Sequence, residues 1–224
     1  MKTTIKIYFT TILFFGTLLS FSQTGSNQIL ERTTIKSFNL QSSNLVGTSY
    51  INDNFLPAKL VDGEEIYSMR YNAYEDVLEV DRAGKHYYFS PKKLNYPITF
   101  IGSNKTYQAF SYDVNKTTSN GFFVVLNKGK NIYLLLKEKI NFYEEKKAES
   151  ELNKYKPPTL KSAPDTFFIG YINNKAVKLP RKKKSFLKLF SSKSKDVENY
   201  IYKNKLSFKK KEDLIEIFEY YNSL

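Results

Sequence analysis

Between residues 64 and 89 hydrophobic and polar positions alternate with the period of a β-strand. Ile66, Ser68 and Arg70 fall on one face and Tyr67, Met69 and Tyr71 on the other, because successive strand side chains point to opposite sides. Residues 72–76, which begin with Asn72 and end with Asp76, predict a turn, since Asn and Asp accept the backbone angles a reversal needs. The alternation returns over 77–80, turns again at Arg82-Ala83-Gly84-Lys85, and closes with 86–89 before Pro91. Strand, turn, strand, turn, strand is a β-meander.

The pattern recurs downstream. Strands are expected over 98–101, 106–114, 121–126 and 132–143, separated by Gly102-Ser103-Asn104, a polar loop at 115–120 and Asn127-Lys128-Gly129-Lys130. Short strands with Gly-containing turns at similar spacing predict an antiparallel sheet or sandwich. No helical pattern lies between them to support a parallel crossover. Residues 42–60 show no sustained period, and 23–41 read as a polar leader with one weak alternation, over 34–38, that predicts an edge strand.

Beyond residue 143 the signals change. The charged stretch 144–154 predicts a short exposed helix, and 156–165, with three prolines, predicts a linker. Residues 166–180 read as a hairpin around Ile172-Asn173-Asn174. From Arg181 the period becomes helical. Phe186, Leu187, Leu189 and Phe190 make one short helix. Ser194 is placed to cap a second, with Val197, Tyr200 and Ile201 on one face. Leu214, Ile217, Phe218 and Tyr221 define a third over 210–222. The predicted class is α+β: a mainly antiparallel, meander- or sandwich-like sheet over 42–155, a linker, a hairpin, and a small helical tail over 181–224.

Composition sharpens this picture. With 41% hydrophobic residues, 18 Tyr and 18 Phe among 224, the chain has the apolar material for a core. Lys2 and Lys6, the apolar run 7–19, and Ser20-Phe21-Ser22 before Gln23 read as a secretory signal peptide over 1–22. The run is too short to span a bilayer, and no later stretch approaches the roughly 20 apolar residues a transmembrane helix requires. The expected protein is exported, periplasmic or extracellular, and either soluble or peripheral to the outer membrane. The chain has no cysteine, which excludes disulfides, thiolate nucleophiles, Cys-based zinc sites and the acylated cysteine of a bacterial lipoprotein.

The net charge of +13 is unevenly spread. Residues 175–211 carry fourteen Lys or Arg against Asp196 and Glu198, while 212–224 carry four acids and no base. Residues 23–174 hold only +3. The basic character therefore belongs to the tail, where Arg181-Lys182-Lys183-Lys184 is the densest run. Such a run reads either as a binding site for anionic headgroups or polymer or as a solvated turn. At a helix start it opposes the dipole, which favours a functional origin.

Two constellations carry candidate chemistry. Asp76 and Glu79 lie near His86, the one histidine, with Arg70 a strand away. If they converged in a pocket they would provide acid–base catalysis, with Arg70 binding an anionic substrate group. The bland reading makes them turn formers and outward residues of a meander, and it is the one favoured here. The second constellation is the basic run. Neither implies a metal or a cofactor, and no phosphate loop, nucleophile elbow, HExxH or calcium loop occurs.

Ser-Phe-Ser-Gln at the signal end is similar to that of exported flavobacterial proteins. Residues 50–57 (YINDNFLP), 69–76 (MRYNAYED), Asn204-Lys205-Leu206, Asp213-Leu214-Ile215 and Tyr220-Tyr221-Asn222 resemble a group of secreted proteins of the Bacteroidetes that has no assigned activity. The resemblance implies one recurring unit of sheet plus tail and transfers no catalytic residue. The expected function is a non-enzymatic envelope protein. Its partners would be an anionic membrane surface, an envelope polymer or an envelope protein, with nucleic acid not expected. A hydrolase-like enzyme using Asp76, Glu79 and His86 is the alternative.

Overall fold

The computed structural model describes residues 44–60, 65–92, 96–130, 132–148 and 154–224. The expected signal segment 1–22 and the leader 23–41 lie outside them.

The predicted meander is present as β2 (Ile66–Asn72), β3 (Val77–Arg82) and β4 (Lys85–Phe89). Arg82 faces Lys85 across a two-residue turn in which Ala83 and Gly84 both have positive φ, 53° and 75°. This is the turn whose twist matches that of the flanking strands. Two further strands complete this half of the sheet. β1 (Leu56–Leu60), in a stretch without legible period, pairs with β2 on one side and with β5 (Ile98–Phe100) on the other.

β6 (Lys105–Val114), β7 (Thr117–Lys128) and β8 (Ile132–Lys137) continue the sheet. The polar loop expected at 115–120 is instead a two-residue turn. Asn115 and Lys116 take positive φ, and Thr117 already pairs with Val114. The long strand expected over 132–143 breaks after Lys137, and β9 (Ile140–Tyr143) leaves to pair with β10 (Thr159–Ser162). The linker expectation for 156–165 is thereby corrected, because β10 occupies it. The described part of 144–154 holds no helix, and Lys146 forms a bridge with Lys156 instead.

The expected hairpin is β11 (Thr166–Tyr171) and β12 (Lys175–Lys178), and it does more than stand beside the sheet. β11 pairs with β8, and β12 runs parallel to β6 through Lys175–Ser111 and Ala176–Tyr112. That parallel contact closes β6, β7, β8, β11 and β12 into a five-stranded barrel, so the sheet is mixed rather than plainly antiparallel. Asn174, at φ 56°, turns its carbonyl onto the Ser111 amide at 2.7 Å and seals the join.

Strand alternation divides the side chains among three cores. Phe110, Phe123, Leu135, Phe168 and Ala176 fill the barrel, with the rings meeting edge to face. Tyr107, Phe122, Val124 and Leu136 point outward and meet Met69, Tyr71, Leu78 and Val80 of the meander. On the barrel's other flank Ile132, Leu134 and Ile169 are covered by the helices.

Those helices are α1 (Lys183–Leu187), a 3-10 turn (Lys188–Lys193), α2 (Ser194–Lys203) and α3 (Lys211–Ser223). Phe186, Phe190, Val197, Leu214, Ile217 and Phe218 are buried, as the helical spacing predicted. Tyr200 stacks on Tyr220 at 3.9 Å between ring centres and donates to Glu216, joining α2 to α3. The Ser194 cap is a correction: Ser194 is the first residue of α2, and the preceding Lys193 makes no side-chain cap bond.

Candidate functional site

Of the residues singled out in the meander, the fold brings Arg70 and Glu79 together and leaves Asp76 and His86 apart from them. Alternation places Arg70, Glu79 and Tyr88 on the face of the meander away from the barrel, and the chain at 50–55 folds over them. Glu79 is 1% exposed. Its carboxylate accepts from Arg70 Nε at 2.8 Å and from the Tyr50 hydroxyl at 2.9 Å. Arg70 is held on every side: its other nitrogens donate to the Asp53 carbonyl and the Tyr50 hydroxyl, and the rings of Tyr50 and Phe55 lie 3.6 and 4.4 Å from its guanidinium carbon. Burial, then the bond to Glu79, pushes the Tyr50 hydroxyl up to about 12. An arginine satisfied in this way is not offering donors to a substrate.

Asp76 faces elsewhere. With φ 58° at the end of the β2–β3 turn, it reaches the end of the barrel. One carboxylate oxygen accepts from the Tyr71 hydroxyl at 2.7 Å and the Phe122 amide at 3.0 Å, and the other from Lys137 Nζ at 2.5 Å. Lys137 also donates to the Phe122 carbonyl at 2.8 Å, with the Phe123 ring 5.0 Å away. The pair fits because position 121 is glycine: a Cβ there would stand 2.7 Å from Asp76 Oδ2 and 2.8 Å from Lys137 Nζ. His86, by contrast, is exposed on β4 opposite Asp81, its ring 5.2 Å from that of Phe55.

Lys137 was missed by sequence reasoning, because parity gives the face it shares and not which face is enclosed. In Ile132-Tyr-Leu-Leu-Leu-Lys137 it shares the parity of Tyr133 and Leu135, and closure of the barrel turns that face inward. Burial holds its ammonium below the usual lysine range against the upward pull of Asp76. A lysine shifted this way beside a carboxylate is the raw material of nucleophilic or general-base chemistry. Here, though, two of its three hydrogens are already committed to Asp76 and the Phe122 carbonyl, and the side chain is 10% exposed. Its role is to tie the meander to the barrel.

Among the described residues no three His, Cys, Asp or Glu side chains gather to hold a metal ion. Nor is any described helix long and apolar enough to cross a membrane.

A concave surface with accessible charge lies in the helical segment. A groove of about 520 Å³ runs between α1, α2 and the 204–209 connection, lined by Phe186, Leu187, Ile201, Leu206 and Phe208 with Lys183, Lys205 and Lys209. A second, of about 300 Å³, shares Phe208 and Lys209 and adds Lys178 and Arg181 against Asp165. All four residues of the 181–184 run are exposed, and α1 has no acid in its first turn. Among the described residues the one ion pair of the helical segment is Lys183–Glu198 at 2.8 Å, with 58% and 45% of the two side chains exposed. An exposed pair of this kind contributes little. Lys205, Lys209 and Phe208 were not marked in the sequence, because a connection between helices carries no period to read, and Tyr202 was passed over because it falls off the apolar face of α2.

No protein-family model, curated protein or solved structure matches the chain.

Proposed function

We propose that this is an exported, non-enzymatic envelope protein that attaches to an anionic surface through its helical segment. One observation carries the reading. Lys178, Arg181, Lys183, Lys205 and Lys209 line two adjoining grooves against only Asp165 and Glu198. Exposed lysines occur on the β region too, but acids nearly balance charge over 23–174, whereas 175–211 carries fourteen Lys or Arg against two acids. The hydrolase reading has no comparable support, since Asp76, Glu79 and His86 each face a different neighbour.

Exposed cations beside an anionic surface contribute at most about 1 kcal/mol each, within a Debye length. A handful therefore gives weak, reversible attachment that salt weakens. The test replaces Arg181, Lys182, Lys183 and Lys184 together by Gln and measures binding to anionic vesicles and to polyphosphate across a salt series. Weaker binding with a flatter salt dependence is expected. Equal binding by variant and parent at low salt would make the run a solvated turn.

A further inference from the structure

The grooves are not only basic. Tyr202, on α2, is 86% exposed, more than any other large hydrophobic side chain among the described residues. Its neighbour Ile201 is turned into the core, as are Val197 and, across the helix pair, Leu214 and Ile217. Tyr200 is occupied by Tyr220 and Glu216. Tyr202 has no such partner and stands at the rim of the larger groove, beside Lys205 and Lys209. Phe208 forms the ridge between the two grooves, stacked on Phe186 at 5.2 Å, with Lys209 Nζ 5.9 Å from its ring centre.

A polyanion and a bilayer make different demands on a protein surface. A polyanion is bound by displacing counterions with cations, and apolar rings among those cations add nothing to that exchange. The edge of an anionic bilayer takes both: cations for the headgroup phosphates, and amphipathic rings that sit at headgroup depth with the apolar body inward and the hydroxyl wet. Lysines suit the first task, since their stems lie along apolar surface while the ammonium reaches out.

We propose that the face carrying Tyr202 and Phe208 is where the protein rests on an anionic lipid bilayer. The two rings sit at headgroup level, with Lys183, Lys205 and Lys209 on the lipid phosphates around them. This rests on the attachment reading above and goes beyond it by naming the surface and the side chains that enter it.

The chain contains no tryptophan, so Tyr202→Trp introduces the sole indole and reports its own surroundings. The experiment titrates this variant, the parent and Tyr202→Ser with vesicles of phosphatidylglycerol, vesicles of phosphatidylcholine, and polyphosphate. For the parent, binding to phosphatidylglycerol and not to phosphatidylcholine is expected. With phosphatidylglycerol the indole emission should shift to the blue. Tyr202→Ser should lower the partition coefficient by about tenfold, the scale of losing one ring's contact, with the salt dependence unchanged. Lys205→Gln with Lys209→Gln should flatten the salt dependence instead. Strong vesicle binding with an unshifted indole and an unaffected Tyr202→Ser variant overturns the inference and leaves charge-driven attachment standing. Binding to polyphosphate but not to phosphatidylglycerol overturns it in favour of a polymer. Binding to neither removes the attachment reading as well.

Discussion

In the β region Asp76, Glu79 and Glu138 each sit against one cation and one tyrosine hydroxyl: Lys137 and Tyr71, Arg70 and Tyr50, Lys105 and Tyr107. In the helical segment the cations of the grooves stand in water, and among the described residues Glu198 alone answers one of them with an ion pair. The difference separates charge that holds the molecule together from charge available to something else. A buried carboxylate costs a great deal without a partner, so where one occurs the fold has arranged its hydrogen bonds. An exposed lysine costs little unpaired, and the fold has no need to satisfy it. Density of ionisable side chains alone therefore misleads: the meander holds the richer mixture, and its Arg70, Asp76 and Glu79 are already taken.

The contrast breaks most visibly at Asp76. Asp76→Ala leaves Lys137 buried beside a lone carbonyl and frees the Phe122 amide and the Tyr71 hydroxyl. It should lower the unfolding free energy by about 3–5 kcal/mol in urea titration. Adding Lys137→Met should recover part of that, since the orphaned charge goes too. A loss below about 1 kcal/mol for the single variant would mean that the pair does not join the two halves of the sheet.

Gly121→Ala probes the same seam from the backbone side. Its methyl group would fall within 3 Å of Asp76, Lys137 and Tyr112, a cost of about 1–3 kcal/mol through displaced packing. The same measurement on Gly84→Ala, where the added carbon meets nothing within 4 Å, isolates the cost of positive φ alone.

Alkaline pH sharpens the comparison further. Tyr50, Tyr71 and Tyr107 are all raised, chiefly by burial and also by the carboxylates they bond. Their folded values lie above the unfolded one near 10, so the unfolded chain releases protons first as pH rises. Stability supported by these hydroxyls is complete below pH 10. It is lost upward from there, for Tyr50 through about 12. Urea midpoints should fall steadily over that interval, and Tyr50→Phe should flatten part of the slope.

The smallest effect is expected at the helical face. Changing Arg181, Lys182, Lys183 and Lys184 to Gln should move stability by no more than about 0.5 kcal/mol, as should His86→Ala. A larger loss from the fourfold change would place structural weight on charges that here stand exposed.

Local pattern carried much of this fold. The meander over 66–89, the Ala83-Gly84 turn, the hairpin around Asn173-Asn174 and the buried face of α3 all follow from periods and turn residues within a few positions of each other. So does the placement of positive charge after residue 174. Pairing between distant segments was another matter. Ser111 meets Asn174 across 63 positions and Asp76 meets Lys137 across 61, and no spacing rule links either pair. β1 and β10 are short segments whose strand character comes from their neighbours, so a featureless stretch and a proline-rich one became parts of sheets. Strand parity told which side chains share a face; barrel closure decided which face was inside. That is why Lys137, outwardly one more lysine in a basic chain, became the buried partner of Asp76, while Lys205 and Lys209 remained in water beside Tyr202.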